Sequence, residues 1–161
     1  MMDSGGNPRA QLDPQRLTVL LILWGAFLMS HLMMGGVALF LRQLQSVGSD
    51  LPAEVIYLFV GIGSVTPFMG AALQPILVAS AKRRLHAKGG VDDEQGLSQA
   101  FVVQSIIRFA LGDVGAVTGL VVMLLSGSVT LWAIPAGLGF ASIFLALPTR
   151  DRFDALRRDL R

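Results

Sequence analysis

The chain has 161 residues, of which 53% are hydrophobic and 15% charged, and its mean hydropathy is +0.62. A soluble domain carries about 25% charged residues, so this composition excludes an ordinary water-soluble globule. Cysteine is absent, which excludes disulfides, thiolate metal sites and cysteine nucleophiles. The formal charge is only +2, and the cations flank apolar segments instead of forming a basic face, so we expect no nucleic-acid partner.

Four apolar segments predict an all-α integral membrane protein, with four transmembrane helices in a bundle and a single membrane domain over residues 1–161. We expect a flexible tail over 1–16 and spans at about 17–41, 55–81, 101–125 and 129–147. The first span is too long for a signal-peptide core of about 7 to 15 residues. Pro67 and Pro75 predict a bend in the second span, which we place inside the bundle, with the first and fourth spans flanking it.

Lys and Arg residues cluster on one side of the predicted spans: before the first, in a polar linker of about twenty residues after the second, and in the basic tail 148–161. The opposite side offers only Arg42. The positive-inside rule therefore predicts that both termini and the polar linker are cytoplasmic, and we expect the chain in the inner (cytoplasmic) membrane of a cell. Within the tail, Phe153, Leu156 and Leu160 are spaced as one face of a helix, which predicts an amphipathic helix on the inner leaflet; a frayed tail is the alternative.

Two ionisable residues lie inside the third predicted span, where each costs roughly 2.5 to 3.5 kcal/mol. At about 1.5 Å per residue from Phe101, Arg108 lies about 10 Å deep and Asp113 about 18 Å deep, near the midplane. They are five positions apart, roughly 140° around the helix, which disfavours a salt bridge between them. Asp113 therefore needs a partner on another helix or a proton, and is either structural or a proton carrier.

Polar and small residues predict how the second and third spans meet. Gln104 shares a helix face with Arg108, and Gln74 lies at a similar depth, so we expect a polar cluster that joins the spans or forms the inner mouth of a proton path. Close helix packing is expected at Gly112, Gly115 and Gly119 of the third span and at Gly70 of the second.

His31 and Met34, at i and i+3 in the first span, are weak candidates for a copper or haem ligand pair. A transmembrane histidine hydrogen-bonded to a neighbouring helix is the commoner case, so we expect no cofactor. The chain carries no Walker sequence, zincin motif or Gly-x-Ser-x-Gly elbow, and we expect no enzyme activity.

The third span, IIRFALGDVGAVTGLVVMLLSG, resembles the carboxylate-bearing helix of rotary ATP synthase c subunits, in which an acidic residue follows an Ala-Leu pair. Asp113 matches the proton-carrying position, and the second span is similar to the first c-subunit helix, with Gly70 expected level with Asp113. The two prolines, the longer connection and the two additional spans depart from that pattern. The whole chain looks similar to uncharacterised small bacterial four-span membrane proteins with a c-like hairpin, which share its Pro148–Arg152 ending.

Three functional hypotheses follow from these patterns. The leading one is a non-enzymatic bundle protein that serves as an accessory or scaffold subunit, with the lipid bilayer and other membrane subunits or further copies of itself as partners. The alternative, implied by the resemblance, is a proton-translocating c-subunit-like protein with Asp113 as the carrier. A metal- or haem-binding protein that uses His31 is the third.

Overall fold

The computed structural model describes residues 13–43, 52–88 and 94–160, and every regular element in these ranges is an α-helix. The six helices are α1 (Pro14–Gln43), α2 (Ala53–Ala72), α3 (Gln74–Lys88), α4 (Glu94–Ser126), α5 (Val129–Leu145) and α6 (Arg150–Leu160). The all-helical expectation is confirmed for this part of the chain. Most of the tail predicted to be flexible, residues 1–12, lies outside the described residues.

Three helical stretches are long and apolar enough to cross a membrane: Pro14–Gln43, Ala53–Leu85 and Gln95–Ser126. Helix α5 passes the same test only together with α6, from which an 81° bend separates it. Its 17 residues would measure about 26 Å at 1.5 Å per residue, slightly less than the roughly 30 Å hydrocarbon core. The chain is therefore consistent with a multi-pass membrane protein of three or four spans.

Helices α4 and α5 form an antiparallel hairpin at the centre of the bundle. Gly127 turns the chain with a positive φ of 65°, and Ser128 caps α5 by accepting a hydrogen bond from the backbone N–H of Leu131. Helices α1 and α2 each pack against both α4 and α5, but no Cα atom of the described part of α1 lies within 8 Å of one in α2. The α4–α5 pair is therefore the short diagonal of a four-helix bundle.

This arrangement differs from the sequence expectation in two respects. The fourth span, expected to flank the bundle, lies at its centre, whereas the second span, expected inside, is largely exposed. Only 17% of the apolar window of α2–α3 is buried, against 44% for α4. The physical reason is the close approach of α4 to α5, which leaves α1 and α2 in the outer grooves of the pair.

The second predicted span is interrupted at Leu73, between α2 and α3. Pro75 has no N–H to donate to the carbonyl of Ala71, so the regular pattern breaks there, and helix bonding resumes when Leu77 donates to Leu73. Pro67 lies buried within α2 without ending it, and its carbonyl accepts a hydrogen bond of 3.5 Å from the Ser142 hydroxyl of α5. A neighbouring helix thus supplies a donor beside this proline.

Helices α3 and α4 also extend further than expected, to Lys88 and from Glu94, into the segment predicted as a polar linker. Helix α6 forms where the spacing of apolar residues predicts a helix, and Thr149 caps its start. Its apolar residues Phe153, Leu156 and Leu160 are buried in a cluster with residues of α1, α3 and α4. Protein, not the inner leaflet, therefore covers the apolar face of α6, which corrects the expectation of a leaflet-bound helix.

Candidate functional site

Asp113 of α4 faces His31 of α1 inside the bundle. The distance from Asp113 Oδ1 to His31 Nδ1 is 3.8 Å, and the two side chains are 21% and 5% exposed. The partner that Asp113 needs on another helix is thus a histidine that the sequence suggested only as a metal ligand or a hydrogen-bonded residue. The sequence did carry a signal for this pairing. His31 lies 14 residues, or about 21 Å, from Leu17 at the start of the first predicted span, which is close to the depth predicted for Asp113.

His31 reaches this position because α5 carries a glycine beside it. A Cβ atom at Gly139 would lie 2.9 Å from His31 Cε1 and would also meet the carbonyl oxygen of Gly112. The other ring nitrogen of His31, Nε2, lies 2.7 Å from the carbonyl oxygen of Ala136. A carbonyl can only accept, so Nε2 carries a hydrogen and donates it to α5.

This hydrogen bond determines what the pair can do chemically. In a neutral imidazole with hydrogen on Nε2, Nδ1 presents a lone pair, and that lone pair faces Asp113. The two groups attract each other only when one proton lies on the Asp113 carboxyl or on Nδ1, and with that proton the pair has no net charge in either form. At 3.8 Å Nδ1 and Oδ1 lie beyond hydrogen-bond distance of each other, and neither atom has a hydrogen-bond partner among the described residues. The arrangement therefore suits the binding and exchange of a single proton.

The glycines of α4 lie against α5. A Cβ atom at Gly112 would lie 2.5 Å from Ile143 Cγ1, and one at Gly115 would lie 2.6 Å from the Pro135 carbonyl oxygen. At Gly119 the nearest atoms, in Trp132 and Ala136, are 3.2 Å away. These three positions form the interface that lets the two central helices approach closely.

Gly70 occupies a different level from the one expected. A Cβ atom there would lie 3.6 Å from side-chain atoms of Arg108 and Leu111, not beside Asp113. The glycine of α2 that makes the closest contact is Gly63, where a Cβ atom would lie 2.8 Å from Thr118 Cβ. A depth count at 1.5 Å per residue assumes straight, upright helices, and tilt and the break at Leu73 shift the register of α2.

The structure brings the three members of the predicted polar cluster together. Arg108 Nη2 donates a hydrogen bond to Gln74 Oε1, and Gln104 lines the same cavity of about 210 Å³ between α3, α4 and α6. Arg152 of α6 lines this cavity too. Sequence reasoning missed Arg152, because the 81° bend that returns α6 to the bundle has no counterpart in hydropathy.

The geometry around His31 does not favour a metal or haem. One ring nitrogen faces a backbone carbonyl and the other faces Asp113. Met34 is half-buried on α1. Within the described ranges, no group of three or more His, Asp or Glu side chains could hold a metal ion.

Comparisons with protein-family models, with curated proteins and with solved structures found no match.

Proposed function

We propose that the chain is a non-enzymatic multi-pass protein of the inner membrane, with both termini cytoplasmic, that serves as an accessory or scaffold subunit of a larger membrane assembly. The observation that carries this proposal is a stripe of small residues on the outer face of α5. Ala133, Gly137 and Ala141 follow one another at intervals of four residues, and all three are exposed. Nothing lies within 4 Å of a Cβ atom placed at Gly137.

Small residues favour helix association in membranes because they let backbones approach closely, whereas burial of apolar side chains gains little when lipid is equally apolar. Helix α5 already uses the opposite stripe, at Gly139, to pack against α4. A second stripe that faces outward is suited to a helix of another subunit or of a further copy of the chain.

The distribution of charge supports the proposed orientation. The cations of α3 and α6, together with Arg16 at the start of α1, lie at the same end of the bundle, where Arg16 donates to the backbone carbonyl of Gln95. We call this the basic end. The α4–α5 turn at Gly127 lies at the other end and carries no Lys or Arg nearby. By the positive-inside rule the basic end belongs in the cytoplasm.

A Gly137→Leu variant tests the association. Leucine there would block the outer stripe, and its Cβ atom would have no atom of the described chain within 4 Å. The matched control is Gly61→Leu, because Gly61 is equally open but lies between Tyr57 and Val65 instead of between small residues. We expect wild type and Gly61→Leu to migrate as a larger assembly on native gels of mild detergent extracts, and Gly137→Leu to migrate as the free chain. A wild-type chain that is monomeric in those extracts, or an assembly that survives Gly137→Leu, would contradict the proposal.

A second function, proton translocation with Asp113 as the carrier, is favoured by the pairing of Asp113 with His31. The pair is built to hold one proton without net charge, and it lies deep between helices that have no other carboxylate near it among the described residues. The similarity of this helix to the c-subunit helix agrees with such a role.

Carbodiimide labelling and flux measurements test this second function. A hydrophobic carbodiimide reacts with a protonated carboxyl in an apolar site, so we expect selective modification of Asp113 in native membranes. In liposomes, Asp113→Asn should abolish proton flux, while the control Asp154→Asn, at an exposed position of α6, should leave it unchanged. An unreactive Asp113, or equal flux in wild type and Asp113→Asn, would eliminate the carrier role.

A further inference from the structure

The cavity at the basic end is lined by two guanidinium groups. Arg108 comes from α4 and Arg152 from α6, and the polar part of the wall is completed by Gln74, Gln104, Ser105 and Asp159. The cavity volume of about 210 Å³ has room for a group larger than one water molecule, which occupies about 30 Å³ in the liquid.

The cations in this cavity are poorly matched by the described residues. Arg108 bonds to the neutral amide of Gln74, and Arg152 bonds to the backbone carbonyl of Leu145. No carboxylate of the described ranges lies within ion-pair distance of either guanidinium. Each guanidinium has five N–H donors, so most of them remain available to a ligand. Two like charges at one partly buried cavity repel each other, and an anion between them would remove that repulsion.

We propose that this cavity binds the phosphate group of an anionic phospholipid. Guanidinium groups bind phosphate through paired, charge-assisted hydrogen bonds. Basic pockets between helices at the cytoplasmic side of a membrane protein are typical sites for anionic headgroups. The site uses neither the outer stripe of α5 nor the Asp113–His31 pair, but it rests on the proposed membrane orientation, because it requires the basic end to lie at the cytoplasmic headgroups.

A neighbouring cavity favours a lipid over free phosphate. It has a volume of about 400 Å³, lies between α3 and α4, and shares Gln104 and Leu156 with the arginine-lined cavity. Leu77, Val78 and Val103 make part of its wall apolar. Arg84, Gln95 and Gln99 also line it and place it farther toward the basic end than Arg108, so it can hold the polar headgroup beyond a lipid phosphate, which inorganic phosphate lacks.

The test uses the full chain purified in detergent and titrated with dioleoylphosphatidylglycerol, dioleoylphosphatidylcholine or sodium phosphate, with the rise in melting temperature as the readout of binding. The variants are Arg152→Gln and Arg108→Gln. The control is Arg158→Gln, which removes the same charge from an exposed position of α6 outside the cavity wall. Circular dichroism establishes whether each variant folds. If Arg108→Gln does not fold, the binding measured for Arg152→Gln decides the outcome.

We expect phosphatidylglycerol to bind at least about tenfold more tightly than phosphatidylcholine. Arg152→Gln removes the charge-assisted hydrogen bonds of one guanidinium, so it should weaken phosphatidylglycerol binding by about tenfold or more. Arg158→Gln should bind as wild type does. Equal binding of the two lipids, equal loss in Arg152→Gln and Arg158→Gln, or stabilisation by phosphate equal to that by phosphatidylglycerol would overturn the proposal.

Discussion

His31 Nδ1 and Asp113 Oδ1 face each other across 3.8 Å, and the opposite ring nitrogen of His31 bonds to the Ala136 carbonyl. One imidazole therefore connects three helices: its own α1 to α4 through a carboxyl group and to α5 through the backbone. In an apolar surrounding such a polar contact positions α1. Removing one partner costs free energy of unfolding, because the other polar group is left buried without a partner.

Replacing His31 should therefore lower the free energy of unfolding more than replacing Asp113 does. His31→Leu removes the bond to Ala136 and leaves Asp113 without its partner, and we expect a loss of about 1 to 3 kcal/mol in the free energy of unfolding. Asp113→Asn should lose less, because its amide N–H can donate to the Nδ1 lone pair. Equilibrium unfolding in mixed micelles measures both values. A His31→Leu variant as stable as wild type would mean that the contact does not hold α1 in place.

The α4–α5 interface should have no room for an added methyl group at Gly115. In Gly115→Ala the new Cβ atom would lie 2.6 Å from the backbone oxygen of Pro135 and 2.9 Å from Gly139 Cα, neither of which can rotate away. We expect a loss of about 1 to 3 kcal/mol in unfolding free energy, the usual cost of overpacking.

The control for this variant is Gly36→Ala on α1, where no atom lies within 4 Å of the new Cβ. It should be neutral or up to about 1 kcal/mol more stable, because alanine favours a helix over glycine. Similar unfolding curves for the two variants would show that α4 and α5 pack less closely than described here.

The spans and their approximate limits could be predicted because long apolar runs bounded by charged, glycine and proline residues are local features. The segment 101–125 lies within α4 and 17–41 within α1, and the Ser128 cap begins α5 at the predicted residue. Pro75 likewise indicated an interruption, which the structure has at Leu73. Such features require no knowledge of neighbouring helices.

The arrangement of the spans could not be predicted in the same way. When a span is apolar on every side, its hydropathy does not indicate which face turns toward the bundle. The sequence therefore did not indicate that α5 is central or that His31 faces Asp113. The burial of α6 was missed for a related reason: Phe153, Leu156 and Leu160 form an apolar face that either lipid or protein could cover.

Docking of α6 should depend on Phe153, which is 2% exposed and contacts the Phe101 ring edge-on at 5.5 Å between centroids. Phe153→Ala should cost about 3 to 5 kcal/mol locally and release α6, whose unfolded backbone trypsin can then cleave after Arg157 and Arg158. The matched control, Phe144→Ala, removes a ring that is 58% exposed and should leave cleavage unchanged. Mass spectrometry of membrane extracts measures the trypsin cleavage rate of each variant. Equal rates in Phe153→Ala and Phe144→Ala would show that Phe153 does not hold α6 in place.

The proposal that α5 makes a fourth crossing of the membrane is tested most directly by cysteine accessibility, because the chain has no cysteine of its own. Thr130→Cys introduces a thiol at an exposed position in the first turn of α5, and Asp154→Cys introduces one at an exposed position of α6, beyond the other end of α5. In intact cells or spheroplasts, a membrane-impermeant maleimide should label the Thr130→Cys variant, and the Asp154→Cys variant only after permeabilisation. Labelling of both variants in intact cells, or of neither, would place residues 130 and 154 on the same side and contradict a four-span bundle.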